Sequence, residues 1–431
     1  MSGARSTRLG GRSDRDCGAL STYGLEDSFF RHEYGRLVAM LSRRVGFHCL
    51  ELVEDAVQSA LLTAVESWPR CGLPENPSAW LFRAAHNHVV GALRKQARRD
   101  RIAERDMIAA ESAEPPDAFL ADDVSDDVVR MLFACCDDAI PVHAQLVLAL
   151  KTLCGFEVRE IAERLFTTEA SVYKRFVRAR ETLLALPFEF HELSAAQCSS
   201  RLPAVQAILY LMFTEGYLSS SAQGPLRREL CEEAVRLALL LADHPTTATS
   251  ETFALLALMY LHLARMTARQ AGSGGLLLLE EQDRAQWDQR AIQLGLSWLA
   301  KSAQGDIFSR YHAEAGVAAE HCLAPSLSET RWDRIVECYA LLEKLAPSAL
   351  HTLNRALATA ELCGPAAGLA MLRELQPPSW LSGSYLWSAV LADLHGRCGD
   401  HDASLRYRDL ALQSAPSAAV RDALQRRLGA P

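Results

Sequence analysis

The chain has 431 residues, with 53 Asp and Glu against 45 Lys and Arg, a formal net charge of −8. That balance excludes a protein that coats nucleic acid by bulk attraction, so any DNA contact must come from local basic faces. The length exceeds one ordinary core, and a composition that is 49% hydrophobic and rich in Ala, Leu, Arg and Glu rather than Val, Ile and Thr favours an all-α protein of several domains.

Met1–Cys17 is rich in Arg, Gly and Ser and has no apolar segment, so it is no secretory signal and residues 1–24 read as a disordered leader. From Leu25 to Arg44 the residues Phe29, Phe30, Tyr34, Leu37, Val38 and Leu41 recur at helical spacing, and Gly46 stops the run. In a second helix over Leu50–Trp68, Leu52, Val53, Ala56, Val57, Ala60, Leu61, Ala64 and Val65 make a broad apolar face, leaving Glu51, Glu54, Asp55 and Gln58 outward. Asp55 and Gln58 form a one-turn acidic and amide pair suited to a basic partner surface.

Pro69 to Pro77 is a loop by its prolines and Gly72, and Asn76-Pro77 marks the next helix start. In that third helix Trp80, Leu81, Ala84, Ala85, Val89 and Leu93 share a period, while Arg83, His86, Asn87, His88, Arg94 and Lys95 lie on its exposed side and C-terminal continuation. A basic helix carrying Trp80 and Asn87 can hold a phosphate backbone and stack on or hydrogen-bond to an unpaired base. The plain alternative is a solvated basic face around a buried tryptophan. This first unit spans 25–105, and residues 106–127, acidic and interrupted by Pro115-Pro116, form a self-repelling linker.

A second unit covers 128–187, with Pro187 closing it. Within Phe156–Leu183 a first helix places Val158, Ile161, Ala162 and Leu165 on one face, and Thr167 or Thr168 caps the start of a second. In the second helix Ala170, Val172, Phe176, Val177, Ala179 and Leu183 can pack inward, leaving Ser171, Lys174, Arg175 and Arg178 on the other face. An isolated basic helix is more often a solvated surface. The tight corner before it makes a helix-turn-helix, whose second helix fits the major groove.

The order of these motifs resembles bacterial extracytoplasmic-function sigma factors of RNA polymerase. The likeness rests on RRVGFHCLELVEDAVQSALLTAVESWPRCGLPENPSAWLFRAAHNHVVGALRK and MLFACCDDAIPVHAQLVLALKTLCGFEVREIAERLFTTEASVYKRFVRARETL. It implies that 25–105 is a sigma region 2-like domain and 128–187 a region 4-like domain. It further implies that Asp55 and Gln58 grip the clamp helices of the polymerase, and that Arg83, Asn87, Arg94 and Lys95, with the loop at Asn76 and beside Trp80, open the −10 element. Ser171, Lys174, Arg175 and Arg178 would read the −35 element. Related chains commonly place an Asp before the leucine-arginine pair where this one has Gly91.

Residues 193–431 continue as successive amphipathic helices, and through YLMFTEGY, LLALMYLHLAR, LLEEQDRAQWD and LNRALA they resemble the subgroup with a tetratricopeptide-like extension. Cys363-Gly364 and Cys398-Gly399 recur roughly 35 residues apart, close to a period of about 34 for helical hairpin repeats. Gln282, Asp283, Arg284 and Trp287 are the most pointed polar cluster, read as a network binding helix ends because no nucleophile and base stand nearby at a recognisable spacing.

The 12 cysteines have no metal-site spacing and no apolar run is long enough for a bilayer, so reduced thiols and a cytoplasmic protein without metal, cofactor, catalysis or membrane contact are expected. The partners expected are core RNA polymerase and promoter DNA, with a regulatory protein or an intramolecular contact at the extension. A one-component helix-turn-helix regulator with a helical sensor is the rival, and Leu50–Arg101 discriminates against it because such a regulator needs neither a polymerase-gripping nor a melting helix.

Overall fold

In a computed structural model the described residues are 27–100, 122–186, 194–218, 226–270 and 275–429. The expected leader and residues 106–121 of the expected linker lie outside them. Every named element among the described residues is helical, as the composition dictates.

The chain divides into two compact units. The first comprises the described residues up to Phe156 together with those from Arg175 to Leu186. It holds α1 (Asp27–Val45), α2 (Leu50–Cys71), α3 (Pro77–Asp100), α4 (Asp122–Cys135) and α5 (Val142–Thr152). Leu37, Val38 and Leu41 of α1 meet a core that includes Val53, Val57, Leu81, Val89, Met131 and Leu148, each at most 1% exposed. Gly35 of α1 allows this packing, since a Cβ there would collide with the Leu153 carbonyl beyond α5.

Three local expectations differ from the structure. Pro69 lies inside α2 rather than ending it, its ring holding a helical φ at the loss of one backbone donor, and Gly72, at φ 85, closes the helix by donating to the Trp68 carbonyl at 3.0 Å. Glu54, expected outward, is 9% exposed and ion-paired to Arg180. Helix α4 begins at Asp122, so the last acidic residues assigned to the linker form its first turns, and Asp127 pairs with Arg43 at 2.7 Å.

The second unit joins residues 157–174 to those from 193 onward. It begins with α6 (Val158–Arg164) and the first turns of α7 (Glu169–Ala185), so the division falls inside α7. There follow α8 (Ala195–Tyr217), α9 (Arg228–Asp243), α10 (Ser250–Met266), α11 (Gln289–Ser302), α12 (Arg310–Leu323), α13 (Trp332–Leu345), α14 (Ala349–Cys363) and α15 (Pro365–Glu374). The chain ends with α16 (Ser379–Ser382), α17 (Tyr385–Arg397), α18 (His401–Gln413) and α19 (Ala418–Leu428).

Consecutive helices of the extension pack as hairpins around two apolar clusters, one centred on Leu258, Leu261 and Trp287, the other on Leu353, Leu369 and Leu391. The turns into α15 and α18 repeat the same device. Gly364 and Gly399 both adopt positive φ, 94° and 82°, which a side chain disfavours. Small residues set the crossing of α17 and α18, where Ser404 Oγ donates to the Ala392 carbonyl at 2.8 Å and Ala411 is fully buried.

Candidate polymerase and nucleic-acid surfaces

On α2, Asp55 and Gln58 are exposed one turn apart, above the buried Ala56 and Val57. Their neighbour Glu54 faces the other way into the Arg180 ion pair. Burial raises the Glu54 carboxyl above its usual range, and Arg180 partly opposes that rise.

Helix α3 starts under its own cap, since Asn76 Oδ1 accepts the Ala79 N–H at 3.0 Å. At about 100° per residue, Trp80, Arg83, Asn87, Gly91 and Arg94 fall within about 80° of helix circumference, with Lys95 on the flank. Arg83, Asn87, Arg94 and Lys95 are exposed, and no ion pair engages the three cations among the described residues. Trp80 is half-buried and meets Trp68 edge-on at 5.5 Å, so it contributes to the core and to the rim of this stripe. Beside it, Arg44 lies 4.8 Å over Phe82, and burial, together with Arg44, lowers the His86 pKa below its usual value.

The helix-turn-helix closes as its side chains dictate. Glu157 and Glu160 form a capping box at the start of α6, Phe166 takes the corner at φ 49, and Thr168 Oγ1 accepts the Ser171 N–H at 3.2 Å. On α7, Val172, Ala179 and Leu183 are fully buried, whereas Ala170, expected inward, is exposed because the first turn stands clear of the core. Lys174 and Arg178 are exposed and Ser171 and Arg175 half-exposed, so the four retain a common open face at spacings of three and four.

Sequence spacing gave no sign of what holds this corner. Arg164 at the end of α6 donates to the carboxylate of Glu215, which is 0% exposed on α8, and to the Leu218 carbonyl. Arg227 donates to Glu160 at 3.2 Å, and Phe166 stacks on Trp380 with ring centroids 4.3 Å apart. The partners are 51 to 214 residues apart in the chain, beyond any local periodicity. Gly216, next to Glu215, admits the close approach of Cys231 Sγ and the Arg227 carbonyl, 2.6 and 2.7 Å from where a Cβ would sit.

The polar cluster of the extension does tie helix ends. Arg284 donates to the carbonyls of His321 and Ala324 at the end of α12, at 2.6 and 2.7 Å. Asp283 caps Ala285 at 3.0 Å, and Gln282 Nε2 donates to the Leu277 carbonyl at 3.2 Å. Trp287, 3% exposed, anchors the loop in the core beneath.

Residues 29–99, which contain α1, α2 and most of α3, match the family described as Sigma-70 region 2. Residues 201–303 match a family of unknown function, DUF6596. The protein named Uncharacterized protein R00370 from Rhizobium meliloti (strain 1021) is 34% identical over 385 residues, covering 87% of this chain and 90% of its own. No solved structure matches the chain. The chain belongs to one family with the Rhizobium meliloti protein, and it carries a sigma-70 region 2 domain seated on the helices that hold Asp55, Gln58 and the basic stripe, which supports a sigma-70 factor and implies core RNA polymerase and promoter DNA as partners.

Proposed function

We propose that this protein is a non-catalytic sigma factor of the extracytoplasmic-function type, acting in the cytoplasm, with a tetratricopeptide-like extension that regulates it. Asp55 and Gln58 engage the polymerase clamp. The stripe of Trp80, Arg83, Asn87, Arg94 and Lys95, led by the Asn76 cap, takes the opened −10 strand, where cations neutralise phosphates and the aromatic offers a stacking surface. Ser171, Lys174, Arg175 and Arg178 read the −35 duplex from the major groove.

The observation that carries the initiation role is the region 2 match falling on an exposed basic helix face whose Arg83, Arg94 and Lys95 make no ion pair among the described residues. The regulatory part is supported by the buried Arg164–Glu215 pair, through which the extension holds α6 next to the recognition helix. Transmission of a signal through that hold requires two arrangements of α6 with different affinities for promoter or polymerase.

Size-exclusion chromatography of the full chain with core polymerase tests the assignment. A stable complex is expected, weakened by the double substitution Asp55→Ala and Gln58→Ala while the circular dichroism and melting temperature stay unchanged. Duplex binding through the helix-turn-helix with no polymerase complex would favour the one-component regulator instead.

A further inference from the structure

Within the helical extension lies a cavity of about 460 Å³, a size suited to a small organic molecule. Trp332, Ile335 and Tyr339 of α13 and Leu357 of α14 form its apolar and aromatic side. Glu280, Glu361 and Asp393 bring three carboxylates to it, against the two guanidiniums of Arg397 and Arg427. His321 also lines it but adds no positive charge at neutral pH, because burial, with Arg265 and Arg284 outside the lining, depresses its ring to about 3.

Both guanidiniums are already answered. Arg397 pairs with Glu361 at 2.6 Å and Asp393 at 3.5 Å, and Arg427 with Asp393 at 3.5 Å and Glu280 at 3.8 Å. Two positive charges therefore meet three negative ones, and the lining keeps one carboxylate in excess. Glu280 is the least engaged of the three, since 3.8 Å is too long for a hydrogen bond and nothing closer holds it among the described residues. Because Glu280 and Asp393 both approach Arg427, the excess lies at that edge of the cavity.

The neutral groups point to the same chemistry. Tyr339 and Asn354 line the cavity with a hydroxyl and an amide that have no hydrogen bond among the described residues, and each carries an oxygen able to accept an N–H. Burial raises the Tyr339 hydroxyl well above its ordinary value, so it stays a phenol. The Trp332 indole offers a π face, which attracts a cation. An anion would meet surplus negative charge here, and a wholly apolar molecule would leave these acceptors without donors.

We infer that this cavity binds a small organic amine in its protonated form, its ammonium beside Glu280 and Asp393 and its apolar body against Trp332, Ile335 and Leu357. The inference does not rest on the sigma-factor assignment, because its site lies wholly within the helical extension.

Phenethylamine, phenylacetamide and phenylacetate share one body and differ in charge, so melting titrations of the full chain at equal ionic strength separate the cases. Phenethylamine at several times its Kd is expected to raise the melting temperature by about 2–4 °C, and the amide and acid by clearly less. Glu280→Gln should raise the Kd for the amine about two- to fivefold. Glu280→Lys, which leaves two carboxylates against three cations, should abolish the response. Both empty variants should melt within about 1–2 °C of wild type, because the Glu280 side chain is 45% exposed and loosely held. Glu337→Gln, on α13 but outside the lining, should leave the titration unchanged. An acid or amide shift as large as the amine's, no shift with any of the three, or an amine titration unaltered in Glu280→Lys would overturn the inference. So would an equal loss in Glu337→Gln, since the amine would then answer only to the net charge of the chain.

Discussion

Replacing Arg164 with Met isolates the contact by which the extension holds the helix-turn-helix. The substitution keeps the apolar stem and removes both donations, to the Glu215 carboxylate and to the Leu218 carbonyl. Removing one partner of a buried ion pair costs about 3–5 kcal/mol. The lower end applies because the Arg164 side chain is 21% exposed and Glu215 keeps a further interaction. About 3 kcal/mol corresponds to roughly a hundredfold in the local opening equilibrium of α6.

Native-state hydrogen exchange on the full chain reads that equilibrium directly. The amides of Ile161 and Leu165, which donate to the Glu157 and Ile161 carbonyls at 3.0 Å, should exchange about a hundredfold faster in Arg164→Met. Amides around Leu353 and Leu391 in the distant apolar cluster should not change, and Arg164→Lys should fall between wild type and Met. Unchanged protection in α6, or equal acceleration in the distant cluster, would refute the assignment of Arg164 as a local tether.

Gly91→Ala should raise the urea midpoint of the first unit by an amount equivalent to about 0.5–1 kcal/mol, because a Cβ there meets nothing within 4 Å; a loss of stability would show that the position is crowded. Gly35→Ala should cost about 1–3 kcal/mol through the collision with the Leu153 carbonyl, and a neutral result in the same titration would contradict the close approach of α1 to that segment. Burial and neighbouring arginines depress His262 and His321 to about 3, below the ordinary value near 6.5. The unfolded chain therefore takes up protons first as pH falls. The stabilisation is complete above about pH 6.5 and is lost progressively toward pH 3, reaching about 2 kcal/mol per histidine at pH 5. Urea midpoints of the wild type should drop across this range more steeply than those of the His262→Gln, His321→Gln double variant, and parallel curves would show that these rings do not control the acid response.

Helix positions, the apolar faces of α1 to α3 and the corner at Thr168 were legible because each is fixed within three or four neighbouring residues. The cap formed by Asn76 and the open face of Ser171, Lys174, Arg175 and Arg178 follow from the same short-range rules. Glu54 was misassigned for the converse reason. Its outward position on an isolated helix is real, but Arg180, 126 residues later, covers it. Arg164, Glu215 and Trp380 were invisible to spacing, and only the YLMFTEGY resemblance pointed near Glu215, without giving it a partner. In the QDRAQW segment, the helix-end network was readable from Asp and Gln chemistry.

Transcription by core RNA polymerase on a library of promoter fragments, with and without the full chain, measures the central property. A sigma factor of this type should yield transcripts from a subset of fragments sharing −35 and −10 sequences, only when the chain is present. Arg175→Ala with Arg178→Ala should relax the upstream preference, and Arg94→Ala with Lys95→Ala should reduce strand opening. Identical transcript sets in the presence and absence of the chain, from active core polymerase and folded protein, would contradict its assignment as an initiation factor.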